Sequence, residues 1–253
     1  MHGNPGSGRD WEELVDATGE LGRAVALDMP GFGQADKPRD FAYRVSSYAD
    51  FLQGALSELE IDRVHLVAHD FGGPFGLLWG LQHPTAWASV VLINVGVLPG
   101  YRWHAMARRW RTPVLGELLQ AWIPRSAWRR SMQKSNPKGL PGSFVEKMYD
   151  DYDRGTRRAV LELYRATPDP AQAASTLGPA LAELRKPALV LWGAKDPFAG
   201  VEYAERQREF FDVQDMVILP DSGHWPFQDD PAPVAHAVVA FLRTQLRPTP
   251  SQP

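Results

Sequence analysis

The stretch VHLVAHDFGGPFG, residues 64–76, sets an ionisable carboxylate where the pattern of the chain changes. An apolar run typical of a buried strand ends at His69, and Gly72 and Gly73 open what reads as a helix. Between them Ala68, His69, Asp70, Phe71, Gly72 and Gly73 follow the order small, any, Asp, any, small, small. That is the setting in which Gly-x-Ser-x-Gly forms a nucleophile elbow, where small neighbours permit a sharp bend and the central side chain is pushed out alone. Here the central residue is Asp70. A serine hydroxyl needs a base to activate it, whereas an aspartate is already ionised at neutral pH and can attack directly. Attack on an ester would give an anhydride more reactive than the substrate. The carboxylate therefore suits displacement at a saturated carbon, leaving an alkyl ester on the protein. A helix N-terminus near Gly72 favours its charged form.

The elements that must hold this turn alternate along the chain. A helix is expected over residues 11–21, followed by RAVALDM (23–29), a short apolar run typical of a strand buried on both faces. Over 47–60 the apolar residues Tyr48, Phe51, Leu52, Ala55, Leu56 and Leu59 recur at three and four, which gives one buried helical face. VHLVAH, ASVVLINVGV (88–97), PALVLWG (187–193) and MVILP (216–220) read as further strands, with helices over 73–81, 202–211 and 231–246. Such alternation implies an α/β fold, a mostly parallel sheet with helices on both faces. Residues 98–185 break the pattern, being helical with no convincing strand. They read as a helical cap inserted over the carboxyl edge of the sheet, where ligands of such folds bind. The core is then formed by 1–97 and 186–247, and 248–253 is a C-terminal tail. Seven arginines from Arg102 to Arg130 lie in the insertion and read as the solvated faces of its helices.

Composition narrows the possibilities. A chain of 253 residues with 44% hydrophobic content can bury a sizeable core. Its net charge of −3 gives no general attraction to nucleic acid, and no apolar stretch is long enough to span a membrane. Cysteine is absent, which removes disulfides, thiol nucleophiles and thiolate metal sites. His65 and His104 have no partner at metal-ligand spacing, so no metal and no cofactor are expected. The expectation is a cytoplasmic protein, monomer or homodimer, acting on a small molecule without nucleic acid or membrane partners.

Five motifs in order resemble the α/β-hydrolase family, across nearly the whole chain. HGNPGSGRDW (2–11) resembles its oxyanion loop, LDMPGFGQADKP (27–38) the segment after its next strand, and AHDFGG its elbow. LWGAKDPF (191–198) and DSGHWPFQDDP (221–231) resemble the segments that hold its acid and its histidine. The resemblance implies a triad of Asp70, Asp196 and His224. The histidine, oriented by Asp196, would activate water against the alkyl ester, and the amides of Asn4 and Phe71 would hold the oxyanion. Family members carry three strands before the HG motif, so strands are expected to be missing ahead of Met1, with an exposed sheet edge as the consequence.

Within the Asp-nucleophile branch, epoxide hydrolases and haloalkane dehalogenases differ in what meets the leaving group. An epoxide oxygen is met by tyrosine hydroxyls, a halide by N–H donors. Dehalogenases resembling this chain place a tryptophan after the nucleophile, where Phe71 offers no side-chain donor. The Asn4 position matches a halide-binding position of several dehalogenases. RRAVLELYRATPDP (157–170) resembles the epoxide hydrolase segment that supplies a ring-opening tyrosine, here Tyr164, with Tyr101, Tyr149 and Tyr152 open as the second. The expectation is an epoxide hydrolase. A haloalkane dehalogenase with the same triad is the alternative, and a non-catalytic small-molecule binding protein on a truncated scaffold a further one. Trp225, Phe227 and Tyr101 are expected around the substrate pocket, His69 and His2 as structural residues.

Overall fold

The computed structural model describes residues 1–246, and the tail expected at 248–253 lies outside the described residues. Four strands, β1 (Val64–His69), β2 (Trp87–Ile93), β3 (Pro187–Gly193) and β4 (Asp212–Leu219), form a parallel sheet in the order β1-β2-β3-β4. Around them lie α1 (Glu12–Gly19), α2 (Val45–Glu58), α3 (Gly72–Gln82), α10 (Glu202–Arg206), α11 (Pro226–Asp229) and α12 (Pro231–Leu246). Six helices enter between β2 and β3: α4 (Ala105–Arg111), α5 (Leu115–Ala121), α6 (Arg125–Lys134), α7 (Gly142–Asp151), α8 (Arg154–Ala166) and α9 (Pro170–Leu184).

Two apolar layers sandwich the sheet because its central strands are apolar at nearly every position, Ser89 of β2 being the buried polar exception. Successive side chains of a strand point to opposite faces. Val91 and Ile93 of β2, with Leu189 and Leu191 of β3, join Leu14 of α1 and Val238 of α12 in one core. Val90 and Leu92, with Ala188, Val190 and Trp192, join Leu52 of α2 and Leu77 of α3 in the other. This is why the central strands read as nearly unbroken apolar runs, while β4 at the edge alternates and begins with the polar residues Asp212–Gln214. The sequence reading opened β4 four residues late for that reason.

The expected strand at 23–29 does not form. A strand is defined by its ladder, and no neighbour lies within pairing distance of this segment. A groove of about 460 Å³ separates residues 23–27 from Val64, His65, Leu66 and Val67 of β1. Only at the far end is β1 met by backbone, where Met1 donates from its amino group to the Val67 carbonyl at 2.5 Å and accepts from the His69 amide at 3.1 Å.

The packing predicts the cost of opening a central cavity. Leu191 is fully buried in β3, and Leu191→Ala should lower unfolding stability by about 2–5 kcal/mol, read as a shift of the urea midpoint at unchanged slope. A loss well under 1 kcal/mol would mean that the two layers do not close on the sheet as described.

Candidate active site

Asp70 follows the last residue of β1 and takes φ 49°, a left-handed conformation that a residue other than glycine adopts at a cost. The bend needs small neighbours for steric reasons visible in the packing. A Cβ on Gly73 would overlap the side chain of Val95, and one on Gly3 would overlap the Asp70 carboxylate itself. Gly3 thus lets the loop after Met1 approach closely enough for the Asn4 amide to donate to Asp70 Oδ1 at 2.6 Å. The Phe71 amide faces the same carboxylate.

The other end of the sheet brings the partner groups. Asp196, in the loop after β3, has a fully buried carboxylate that accepts four hydrogen bonds: Phe198 N at 2.7 Å, Ala199 N at 3.3 Å, Asn94 Nδ2 at 2.6 Å and His224 Nδ1 at 2.8 Å. With its Nδ1 proton committed to Asp196, a neutral His224 carries its lone pair on Nε2. That nitrogen lies 3.8 Å from Asp70 Oδ2, beyond hydrogen-bond range, so the imidazole is free to engage a third molecule. Asp70, His224 and Asp196 are therefore gathered as the motifs suggested.

Several residues that the sequence reading passed over hold this arrangement. Asn94, just past β2 with φ 49°, donates to Asp196 and to the Gly223 carbonyl at 3.0 Å while accepting from Gly193 N at 2.8 Å. It ties the ends of β2 and β3 to the histidine loop. Its signal in the sequence was a lone amide closing an apolar strand, of a type that tolerates left-handed backbone. Asn136, after α6, accepts from the Trp225 amide at 2.9 Å, and the Ser135 carbonyl accepts from the His224 amide at 3.1 Å. His69 is buried, with its Nε2 2.7 Å from the His224 carbonyl, and desolvation keeps it neutral. His2 Nε2 accepts from the Met29 amide at 3.0 Å, a scaffold contact.

A cavity of about 530 Å³ opens beside Asp70 and Phe71, walled by Pro74, Leu77, Val95 and Leu177. Tyr101 and Trp103 line it too. Trp225 and Phe227, expected around the pocket, are not among its lining residues. Trp225 packs edge-on to His224 at 4.7 Å, and Phe227 stacks on Trp11 at 4.8 Å, so both are spent in seating the histidine loop. Tyr164 is buried with its ring edge-on to Phe71 at 4.9 Å and its hydroxyl facing the Asn4 side chain. The two other tyrosines do not line the cavity: Tyr149 donates to the Ile123 carbonyl at 2.7 Å, and Tyr152 accepts from Gln120 at 2.9 Å. That leaves Tyr101 as the second hydroxyl near Asp70.

Charge and burial set the protonation of the site. Desolvation pushes Asp70 upward, opposed by the His224 charge and by the Asn4 and Phe71 amides. For His224 desolvation pulls downward, but the Asp196 and Asp70 carboxylates outweigh it and the net shift is up. Burial, then the nearby Asp70 charge, raises both Tyr101 and Tyr164, which keeps their hydroxyls protonated as donors. Among the buried side-chain polar atoms with no hydrogen-bond partner in the described residues are both polar atoms of the Asn4 carboxamide and the indole Nε1 of Trp103.

Residues 1–231 match the model of the alpha/beta hydrolase fold. The chain is 27% identical to a cis-3-alkyl-4-alkyloxetan-2-one decarboxylase of Xanthomonas campestris, over 96% of this chain and 86% of that protein. It is 26% identical to haloalkane dehalogenase 2 of Mycobacterium tuberculosis, over 94% and 85% respectively. Among solved structures it is similar to a haloalkane dehalogenase of Bradyrhizobium elkani, with a TM-score of 0.83 at 23% identity over 96% of this chain and 88% of that one. At that identity the structural likeness speaks for the fold.

One consequence of the electrostatics is directly measurable. Because the Asp70 charge is among the forces raising His224, Asp70→Asn should lower the His224 pKa, read by titrating the imidazole nitrogens by NMR. An unchanged or higher value would show that the two groups are not coupled.

Proposed function

The chain belongs to the α/β-hydrolase fold family, and from that premise we propose that it is a hydrolase opening an epoxide to a diol through an alkyl ester on Asp70. One observation carries the reading: a carboxylate at the elbow, with one oxygen held by the Asn4 amide, lies in a cavity beside a protonated tyrosine and within reach of a histidine oriented by a buried acid. Asp70 Oδ1 is fixed by Asn4, so Oδ2 is the oxygen free to attack. As the ring carbon–oxygen bond breaks, the departing oxygen takes a hydrogen bond and then a proton from Tyr101, with Tyr164 as the second hydroxyl. Water, losing its proton to His224 Nε2, next attacks the carbonyl carbon of the ester. The charge that develops on Oδ1 falls where the Asn4 and Phe71 amides already point. Collapse breaks the ester bond; the departing oxygen takes the proton held on His224, the proton left on the regenerated acid returns to Tyr101, and the diol leaves with Asp70, His224 and Tyr101 in their starting states.

Halide displacement through the same triad is the second reading, favoured by the unpartnered Asn4 side-chain amide and Trp103 indole and by the dehalogenase relative. Against a purely binding role stands the fully hydrogen-bonded acid–histidine pair, which a receptor for small molecules has no need to maintain.

The two half-reactions respond to pH in a fixed sense. Alkylation needs ionised Asp70 and is lost as pH falls through its raised pKa. Ester hydrolysis needs neutral His224 and is lost as pH falls through the histidine pKa. That pKa is up-shifted in the free protein but drops once the ester has neutralised Asp70. Single-turnover rates of ester hydrolysis should therefore show a lower apparent pKa than NMR gives for His224 in the free protein.

A panel of a terminal epoxide, a 1-bromoalkane and a cis-3,4-dialkyl oxetan-2-one separates the outcomes as diol, bromide or carbon dioxide. In heavy-oxygen water the first turnover should place ordinary oxygen in the product and the label in Asp70. Label appearing directly in that first product would exclude the ester. Tyr101→Phe should slow epoxide alkylation by about 100-fold while leaving ester hydrolysis unchanged. Equal rates would remove Tyr101 from the mechanism.

A further inference from the structure

Helix α5 is turned the wrong way round for a soluble surface. Its solvent side carries Leu115, Leu118 and the flanking Val114 and Trp122, which are 41%, 67%, 69% and 77% exposed. Leu115 and Leu118, three apart, share one face of the helix, and Val114 and Trp122 flank its two ends. The inward side carries Gly116 and Gln120, both buried. The neighbouring α4, which packs against α5, adds exposed Met106. A contiguous apolar patch of this kind marks a surface that associates with something.

The charge around it says with what. Between residues 98 and 134 the chain has seven arginines and Lys134 but a single carboxylate, Glu117, against a net charge of −3 for the whole. Glu117 is held by both terminal nitrogens of Arg165 at 2.6 and 2.8 Å and is neutralised. Arg125 and Arg129 are paired with Glu146 and Asp150. Arg102, Arg108 and Arg109, on and before α4, are exposed, and among the described residues none has a carboxylate within ion-pair range. An apolar face with Trp at its edge and unpaired arginines beside it has the make-up of a helix lying in the headgroup layer of an anionic bilayer. A second copy of the chain is a poorer occupant, because a two-fold contact through this face would bring the same arginines of both copies together.

We propose that the α4–α5 corner docks on an anionic lipid surface, seating Val114, Leu118 and Trp122 among the headgroups while Arg102, Arg108 and Arg109 meet their phosphates. The contact is peripheral. No helix among the described residues is long and apolar enough to cross a membrane, and a surface contact needs none. The expectation of no membrane partner rested on spanning length, which leaves such a face unseen.

Sedimentation of the whole protein with vesicles tests this. It should bind vesicles containing phosphatidylglycerol more tightly than pure phosphatidylcholine, with binding weakened by salt. Arg108→Ala and Arg109→Ala should each reduce partitioning by about fivefold, and Leu118→Ser and Trp122→Ser each by about tenfold. All four side chains are exposed, so thermal unfolding should be unchanged and a loss of binding cannot be ascribed to misfolding. Failure to bind anionic vesicles, or binding that these variants leave intact, would overturn the proposal. So would a concentration-dependent dimer that Leu118→Ser dissolves, which would assign the face to a second copy.

Discussion

A carboxylate buried at the end of a parallel strand, with the imidazole of His224 and no lysine or arginine as its charged neighbour, is the constraint around which this fold is arranged. Asp70 is desolvated, and an isolated buried anion would be costly enough to take up a proton. Backbone amides are the compensation. The loop after Met1 approaches through Gly3 so that Asn4 can donate, and the start of α3 turns so that Phe71 can. Donors of this kind stabilise the anion without neutralising it, which a lysine or arginine would do. The charged form, which the proposed attack needs, is thereby favoured.

The histidine faces the opposite problem, since it must be held firmly yet keep one nitrogen free. The loop that carries His224 has its backbone seated from three directions: by His69 from β1, by Asn94 after β2, and by Ser135 and Asn136 from the end of α6. Only the last belongs to the helical insertion. The insertion therefore does more than roof the cavity; it also holds the backbone of the histidine loop. This also explains why Trp225 and Phe227 lie under the loop and not around the substrate space.

How much of this the sequence displayed follows from which interactions are local. The elbow is legible because strand, turn and helix are contiguous, although the groups that crowd its glycines, Met1 at Gly72 and Val95 at Gly73, are remote in the chain. β3 is legible because nearly every position is apolar and buried, and β1 because its apolar residues are bounded by the turn at Asp70. Residues 23–29 carry the same apolar run, yet form no strand, because a ladder is a property of two segments and a groove lies where the second would be. Asn94, Asn136 and the choice of Tyr101 over Tyr149 and Tyr152 were not legible for a related reason. Each is decided by a partner more than twenty residues away, and the residue type alone carries no address.

The same electrostatic coupling imposes an order on the proposed route. While Asp70 is charged it raises His224, so the histidine tends to hold a proton and is a poor base at the moment the carboxylate must act as nucleophile. Formation of the ester removes that charge. What remains on His224 is desolvation, pulling down, against Asp196 alone, pulling up. The event that forms the intermediate thus also removes one of the charges that favour a proton on its base. A serine at the elbow would gain nothing comparable, because it is neutral before the reaction as well as after. The aspartate is in this sense both the nucleophile and the switch that sets when its neighbour becomes a base.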